Sequence, residues 1–210
     1  MNYKHIVFDI DGTLIDTEYA VLHSLQKTLE SVTGNWIDTK ELAFVLGITG
    51  KDALEKLNIS DISSALDLWE QYMQQYSNTV CLFKDMEQVL ERLSLLNLQL
   101  GIVTSKTKLE FENEFSRFGI NKYFSTVICA DDTLEHKPLP APLLRYMELS
   151  KAKRNEILYI GDSEYDMLCA HSAKIEFALA GWGNSSSHIK AEYYLESPPD
   201  LLKLFVITPL

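Results

Sequence analysis

The chain has 210 residues, 46% of them hydrophobic and 23% charged, which suits one domain of moderate size or a core with a small insert, and lets a sizeable core be buried. Its formal net charge of −11 argues against nucleic acid as a general partner and requires a local positive site for any anionic substrate. No apolar stretch reaches the length of a membrane span, and the odd set Cys81, Cys129 and Cys169 matches no zinc or redox spacing.

In chain order, His5–Asp9 predicts a first strand, apolar and then acidic. It begins within a few residues of Met1, leaving no room for a signal peptide. From about Asp16 to about Thr79 the periodicity is helical and no strand is convincing. Helices are predicted over Tyr19–Val32, Thr39–Leu46, Lys51–Leu57 and Ala65–Tyr76. The stripe of Leu66, Leu68, Trp69, Tyr72, Met73 and Tyr76 is expected to be the core of a helical bundle rather than a ligand box. Short apolar runs then alternate with helical patterns. Strands are predicted at Gln99–Thr104, Thr126–Cys129, Glu156–Gly161 and Ile175–Ala180. Helices are predicted at Lys106–Phe118, Pro138–Leu149 and Ser163–Ala173, with a docking helix in Leu201–Ile207. Alternation of this kind means an α/β fold, a parallel sheet with helices on both faces. Buried, reduced thiols at Cys129 and Cys169 fit a cytoplasmic location.

The chemistry concentrates at strand ends, where open α/β sheets bind ligands. Asp9 and Asp11 are two apart on a strand, so both carboxylates face one crevice. A calcium loop counted from Asp9 would want Gly and Glu where Leu14 and Ala20 stand. Gly47-Ile48-Thr49-Gly50-Lys51 is too short between its glycines for a phosphate-binding P-loop. Gly181-Trp182-Gly183 lacks the third glycine of a dinucleotide fingerprint, and Tyr165 stands where a nucleophile elbow needs Gly. Thr104 and Ser105 close the second strand, and a hydroxyl at a helix start can hold an anion or simply cap. Lys137 precedes Pro138, and Asp162 with Asp166 follows the fourth strand. His5, His23, His136, His171 and His188 share no metal-ligand spacing, although His136 adjoins Lys137.

Together these residues resemble the haloacid dehalogenase superfamily of phosphatases. Asp9-Ile10-Asp11-Gly12-Thr13 looks like its first motif, Thr104 its second, Lys137 its third, and Gly161-Asp162 with Asp166 its fourth. The resemblance spans nearly the whole chain. It implies a Rossmann-like catalytic core of residues 1–15 and 80–210, and a helical cap of residues 16–79. Within the family the chain is most similar to phosphoglycolate phosphatases and the related pyrophosphatases, though many relatives carry Asn where Ser105 stands. The resemblance further implies Asp9 as nucleophile, Asp11 as acid and base, and Lys137 as a cation beside the nucleophile. Thr104 and Ser105, with Lys137, would hold the phosphate. Mg²⁺ would sit on Asp9, the Asp11 main-chain carbonyl and Asp162, with Asp166 acting through water or orienting the ligands. Gly47–Asp52 looks like the cap's specificity loop, whose Thr49 and Lys51 would reach the substrate, or would only begin a helix. The partner implied is a small phosphorylated metabolite, with a sugar phosphomutase as the alternative on the same scaffold. Oligomeric state is left open.

Overall fold

The computed structural model describes residues 3–183 and 188–205. In chain order the elements are β1 (His5–Phe8), β2 (Ile15–Asp16), α1 (Glu18–Thr33), α2 (Thr39–Leu42), α3 (Gly50–Lys56) and α4 (Ile62–Gln75). There follow β3 (Cys81–Leu82), α5 (Met86–Ser94), β4 (Gln99–Val103), α6 (Lys108–Glu110), β5 (Phe124–Ile128) and α7 (Ala141–Ser150). The chain finishes with β6 (Ile157–Gly161), α8 (Glu164–Ala173), β7 (Glu176–Ala180), β8 (Tyr193–Leu195) and α9 (Asp200–Lys203).

Six strands form one parallel sheet in the order β5-β4-β1-β6-β7-β8. β1 lies between β4 and β6, with Phe8 level with Ile102 and Ile160. The strand order therefore reverses at β1, and the crevice that such a reversal opens lies beyond its C-terminal end, where Asp9 stands. Side chains alternate across the sheet as the strand period requires. Ile6, Phe8, Leu100, Ile102, Leu158 and Ile160 pack on one face with Met86, Val89, Leu90 and Leu93 of α5. Val7, Val103, Ile157, Tyr159 and Phe177 pack on the other face with Leu143 and Tyr146 of α7 and Cys169 and Ala170 of α8. Every residue of β1 and β6 is buried, which is why both strands read as continuous apolar runs.

β2 pairs antiparallel with β3, Ile15 opposite Leu82, so the chain departs from the sheet and returns to it side by side. Between the two lies a separate apolar cluster, with Leu22, Leu25, Leu29, Leu42, Leu54, Ala65 and Trp69 buried.

The predicted elements hold with local differences. Thr39–Leu46 is not one helix. It passes after Leu42 into a 3-10 turn over Ala43–Val45, and Gly47 then takes φ +93°. Lys106–Phe118 is broken too. α6 passes into a π-helical turn at Phe111–Phe115 and a 3-10 turn at Ser116–Phe118. The wider turn sets Phe115 fully in the core while Glu114 reaches back to Lys106. β8 escaped prediction because it is a three-residue edge strand with a single buried residue. α9 occupies part of Leu201–Ile207, with Leu201 buried, while residues 206–207 lie outside the described residues. Cys129 and Cys169 are buried and free, and Cys81 is exposed. No described helix is long and apolar enough to cross a membrane.

Candidate active site

The site begins where β1 stops. Asp9 N–H still donates to Ile160 O at 2.8 Å, which fixes its Cα on the sheet and turns its side chain into the crevice. The next residues close a tight turn, in which the N–H groups of Thr13, Leu14 and Ile15 all point at Ile10 O. Gly12 makes that turn at φ +71°, and a Cβ there would sit 2.1 Å from Asp162 Oδ2. Only glycine lets the β1 loop lie against the acidic end of β6. Trp182 Nε1–H pins the loop from the far side by donating to Thr13 O at 2.9 Å.

Lys137 is buried, and its ammonium donates to Asp9 Oδ1 and to Asp166 Oδ1, each at 2.7 Å. Asp166 is fully buried and accepts on every side. Tyr159 O–H reaches its Oδ1 at 2.8 Å, and Ser163 O–H reaches its Oδ2 at 2.5 Å. Ser163 and Asp166 also form the capping box of α8, so the helix start and the site share one set of hydrogen bonds. Asp162, half-buried, receives Thr13 O–H at 3.4 Å.

Oxygens of Asp9, Asp162 and Asp166 lie within 4.8 Å of one another. Asp9 and Asp166 thus share one ammonium, with the Asp162 carboxylate beside them. Burial pushes the Asp9 carboxyl up to about 7; Lys137 pulls it back, while Asp166 and Asp11 add to the rise. Desolvation, then the charges of Asp166 and Asp9, push Asp162 well above the usual carboxylate range. Burial would lower the pKa of Lys137, but Asp166 and Asp9 outweigh it and hold the ammonium above its ordinary value. An all-oxygen cluster short of positive charge suits a hard divalent cation such as Mg²⁺.

Asp11 faces a second buried lysine. Lys106 Nζ lies 3.0 Å from Asp11 Oδ1 as an ion pair and donates to Glu114 Oε2 at 2.5 Å. Thr104 continues the β4 ladder, its N–H donating to Ile128 O, and its Oγ1 accepts from Lys106 N at 3.2 Å.

Asp9, Asp11 and Lys106 open on a cleft of about 600 Å³ whose opposite wall comes from α3, α4 and the Gly47 loop. Ser105 O–H crosses to Gly47 O at 2.8 Å. Gly47 lies so close to α8 that a Cβ would stand 2.7 Å from Ser163 Oγ. Tyr165 O–H donates to Phe44 O, and Lys56 Nζ to Tyr165 Oη, both at 3.1 Å.

A family model described as haloacid dehalogenase-like hydrolase matches residues 6–180. The chain belongs to the haloacid dehalogenase-like hydrolases. A candidate pyrophosphatase PpaX from Caldanaerobacter subterraneus subsp. tengcongensis is 30% identical over 209 residues, 97% of this chain and 95% of its own. The pyrophosphatase PpaX of Oceanobacillus iheyensis is 27% identical, with 97% of each chain covered. A crystal structure of a candidate phosphoglycolate phosphatase from Lactobacillus plantarum matches with TM-score 0.89 and 30% identity, over 98% of this chain and 100% of that one. Within the haloacid dehalogenase-like family, the chain is a hydrolase of the phosphatase type.

Seen as a member of that family, the chain brings Asp9, Lys137, Asp162 and Asp166 into one cluster, with Asp11 beside it on the cleft, while Thr104 is buried with its Oγ1 accepting from Lys106 N. Ser105 gives its hydroxyl to the Gly47 loop. Thr49 is buried and caps α3, donating to Asp52 Oδ2 at 2.7 Å and accepting from Asp52 N at 3.1 Å. Lys51 is exposed, 3.7 Å from Glu55; both Thr49 and Lys51 line the cleft. The stripe on α4 does two jobs. Trp69 is core, yet Leu66, Trp69 and Met73 also form cleft wall. Lys106, Glu114 and Tyr159 belong to the site without a local signal in the sequence. Lys106 sits inside Thr104-Ser105-Lys106, but nothing local says that it will be buried. Tyr159 reads as one more apolar strand residue. His136 does reach the cleft, 3.4 Å from Asp52.

Proposed function

We propose that this chain is a Mg²⁺-dependent phosphatase of small phosphorylated metabolites that works through a phosphorylated Asp9. In this scheme residues 1–15 and 80–210 form the catalytic core and residues 16–79 the cap. The observation that carries it is the Asp9 carboxylate, held at the sheet's switch point by Lys137 with Asp162 and Asp166 beside it. An Asp9 oxygen attacks phosphorus, the bond to the leaving oxygen breaks, and Asp11 gives that oxygen its proton. Asp11 then takes a proton from water as the water oxygen attacks the phosphorylated Asp9, freeing phosphate and restoring the carboxylate. Lys137 keeps the Asp9 oxygen aimed and offsets the negative charge gathered around phosphorus. Thr104 through its hydroxyl and Ser105 through its main-chain N–H, at the end of β4, orient the transferring oxygens, the Ser105 hydroxyl being held by Gly47 O. Mg²⁺, when bound, supplies positive charge that lets a carboxylate approach a phosphate dianion. Asp9, the Asp11 carbonyl and Asp162 would hold it, and Asp166, its oxygens occupied by Lys137, Tyr159 and Ser163, positions Lys137 and the start of α8.

The relatives are named for pyrophosphate and phosphoglycolate, both small phosphorylated compounds. Asp9→Asn decides the nucleophile. With Mg²⁺ and p-nitrophenyl phosphate, turnover should fall by at least about 10³-fold while the melting temperature is kept. Turnover near the parent rate in a folded Asp9→Asn protein would remove Asp9 from the role.

A further inference from the structure

The cleft says something about what hangs from the phosphate. We propose that the leaving group of the substrate is uncharged or cationic and carries apolar surface, and is not a second anion. This rests on the phosphatase assignment above and narrows it to a substrate class.

Leu66, Trp69 and Met73 recur along α4 at helical spacing and, with Val21 of α1, present an apolar wall to the cleft. The opposite rim carries Leu109, 64% exposed, and Leu134, fully exposed. Apolar side chains left in water around a concave site mark a surface meant to be covered.

The charges point the same way. Beyond Asp9 and Asp11 the cleft is lined by Asp67, Glu70, Glu110, Glu114 and Asp131, and by no arginine among the described residues. Its two lysines each have a carboxylate at hand: Lys106 lies between Asp11 and Glu114, and Lys51 lies 3.7 Å from Glu55. A second carboxylate or phosphate on the substrate would have to compete for these cations, inside a chain whose formal net charge is −11. An apolar or cationic leaving group meets α4 and its acidic neighbours without that conflict.

Three primary alkyl phosphates separate the cases, because their leaving alcohols are respectively neutral and aromatic, cationic, and anionic: 2-phenylethyl phosphate, phosphocholine and phosphoglycolate. Pyrophosphate is assayed beside them, and p-nitrophenyl phosphate reports phosphatase activity as such, all with the full chain and Mg²⁺. The neutral and the cationic ester should each exceed phosphoglycolate and pyrophosphate by about tenfold or more in kcat/KM. Equal or better turnover of phosphoglycolate or pyrophosphate overturns the proposal while leaving the phosphatase assignment standing. Loss of every activity, p-nitrophenyl phosphate included, overturns both. Glu70→Arg places a guanidinium on the acidic stretch of α4 and should lower KM for phosphoglycolate by about fivefold in a protein that melts normally. An unchanged KM would count against the charge reasoning directly.

Discussion

Lys106 shows how much one buried ammonium can carry. It stands between Asp11 and Glu114, and removing it leaves two largely buried carboxylates without the cation between them. Lys106→Met should therefore cost about 3–5 kcal/mol of stability. It should also lower kcat by about 10–100-fold, because Asp11 loses the group that holds its position. Adding Glu114→Gln should return much of the melting temperature without returning kcat. Recovery of both together would mean that Lys106 serves stability alone. Asp9 makes a separate prediction. Its carboxyl is raised to about 7 in the metal-free protein, burial being the main cause, against an ordinary value of 3.8. The folded state then keeps a proton that the unfolded chain has released, so this group's contribution is complete below about 3.8 and is lost as pH rises to about 7. In EDTA the melting temperature of the parent should drop more than that of Asp9→Asn between pH 5 and pH 7.5. Parallel curves would refute the shift.

At the scale of elements, the turn from Asp9 to Ile15 is the part with least freedom. Its geometry needs positive φ at Gly12, and its contact with Asp162 leaves no room for a methyl group. Gly12→Ala should cost about 1–2 kcal/mol from the backbone and push Asp162 away from Asp9. Mg²⁺ titrations of activity should then show affinity lower by about 10–100-fold, more than the stability loss alone would suggest. Unchanged Mg²⁺ affinity would argue that Asp162 is not a ligand. The start of α8 has the same character, since Ser163 and Asp166 cap the helix with the groups that orient Lys137. The π-helical turn after α6 is a third case, widening the helix where Glu114 must meet Lys106.

For the whole molecule, the question is how the helical segment sits on the sheet. It has its own buried cluster and meets the far side of the cleft partly through polar contacts: Ser105 to Gly47, Tyr165 to Phe44, Lys56 to Tyr165 and His136 to Asp52. Such a surface suits closure over a substrate and reopening afterwards. Tyr165→Phe deletes one hydroxyl from it. A net loss of about 1 kcal/mol corresponds to a rise in KM of about fivefold, with the melting temperature unchanged. A large drop in melting temperature would show that Tyr165 supports the fold rather than the seating of the helical segment.

The sequence by itself determined the alternation of strand and helix, the helical run inserted after β1, and the placing of Asp9, Thr104 and Asp162 at strand ends. These are legible because they are local: a two-residue period, a glycine at a turn, a polar residue ending an apolar run. Only the tertiary structure decided which of these groups meet. Lys137 lies 128 positions from Asp9 in the chain, and parallel register with two crossovers is what brings them to 2.7 Å. The same holds for Lys106 with Asp11, Tyr159 with Asp166, and Ser105 with Gly47. The α4 stripe is the clearest case. Its periodicity predicts an apolar face, but whether that face meets another helix or an open cleft depends on neighbours distant in the chain, and it meets both. Periodicity records that a side chain avoids water; packing decides what it touches instead.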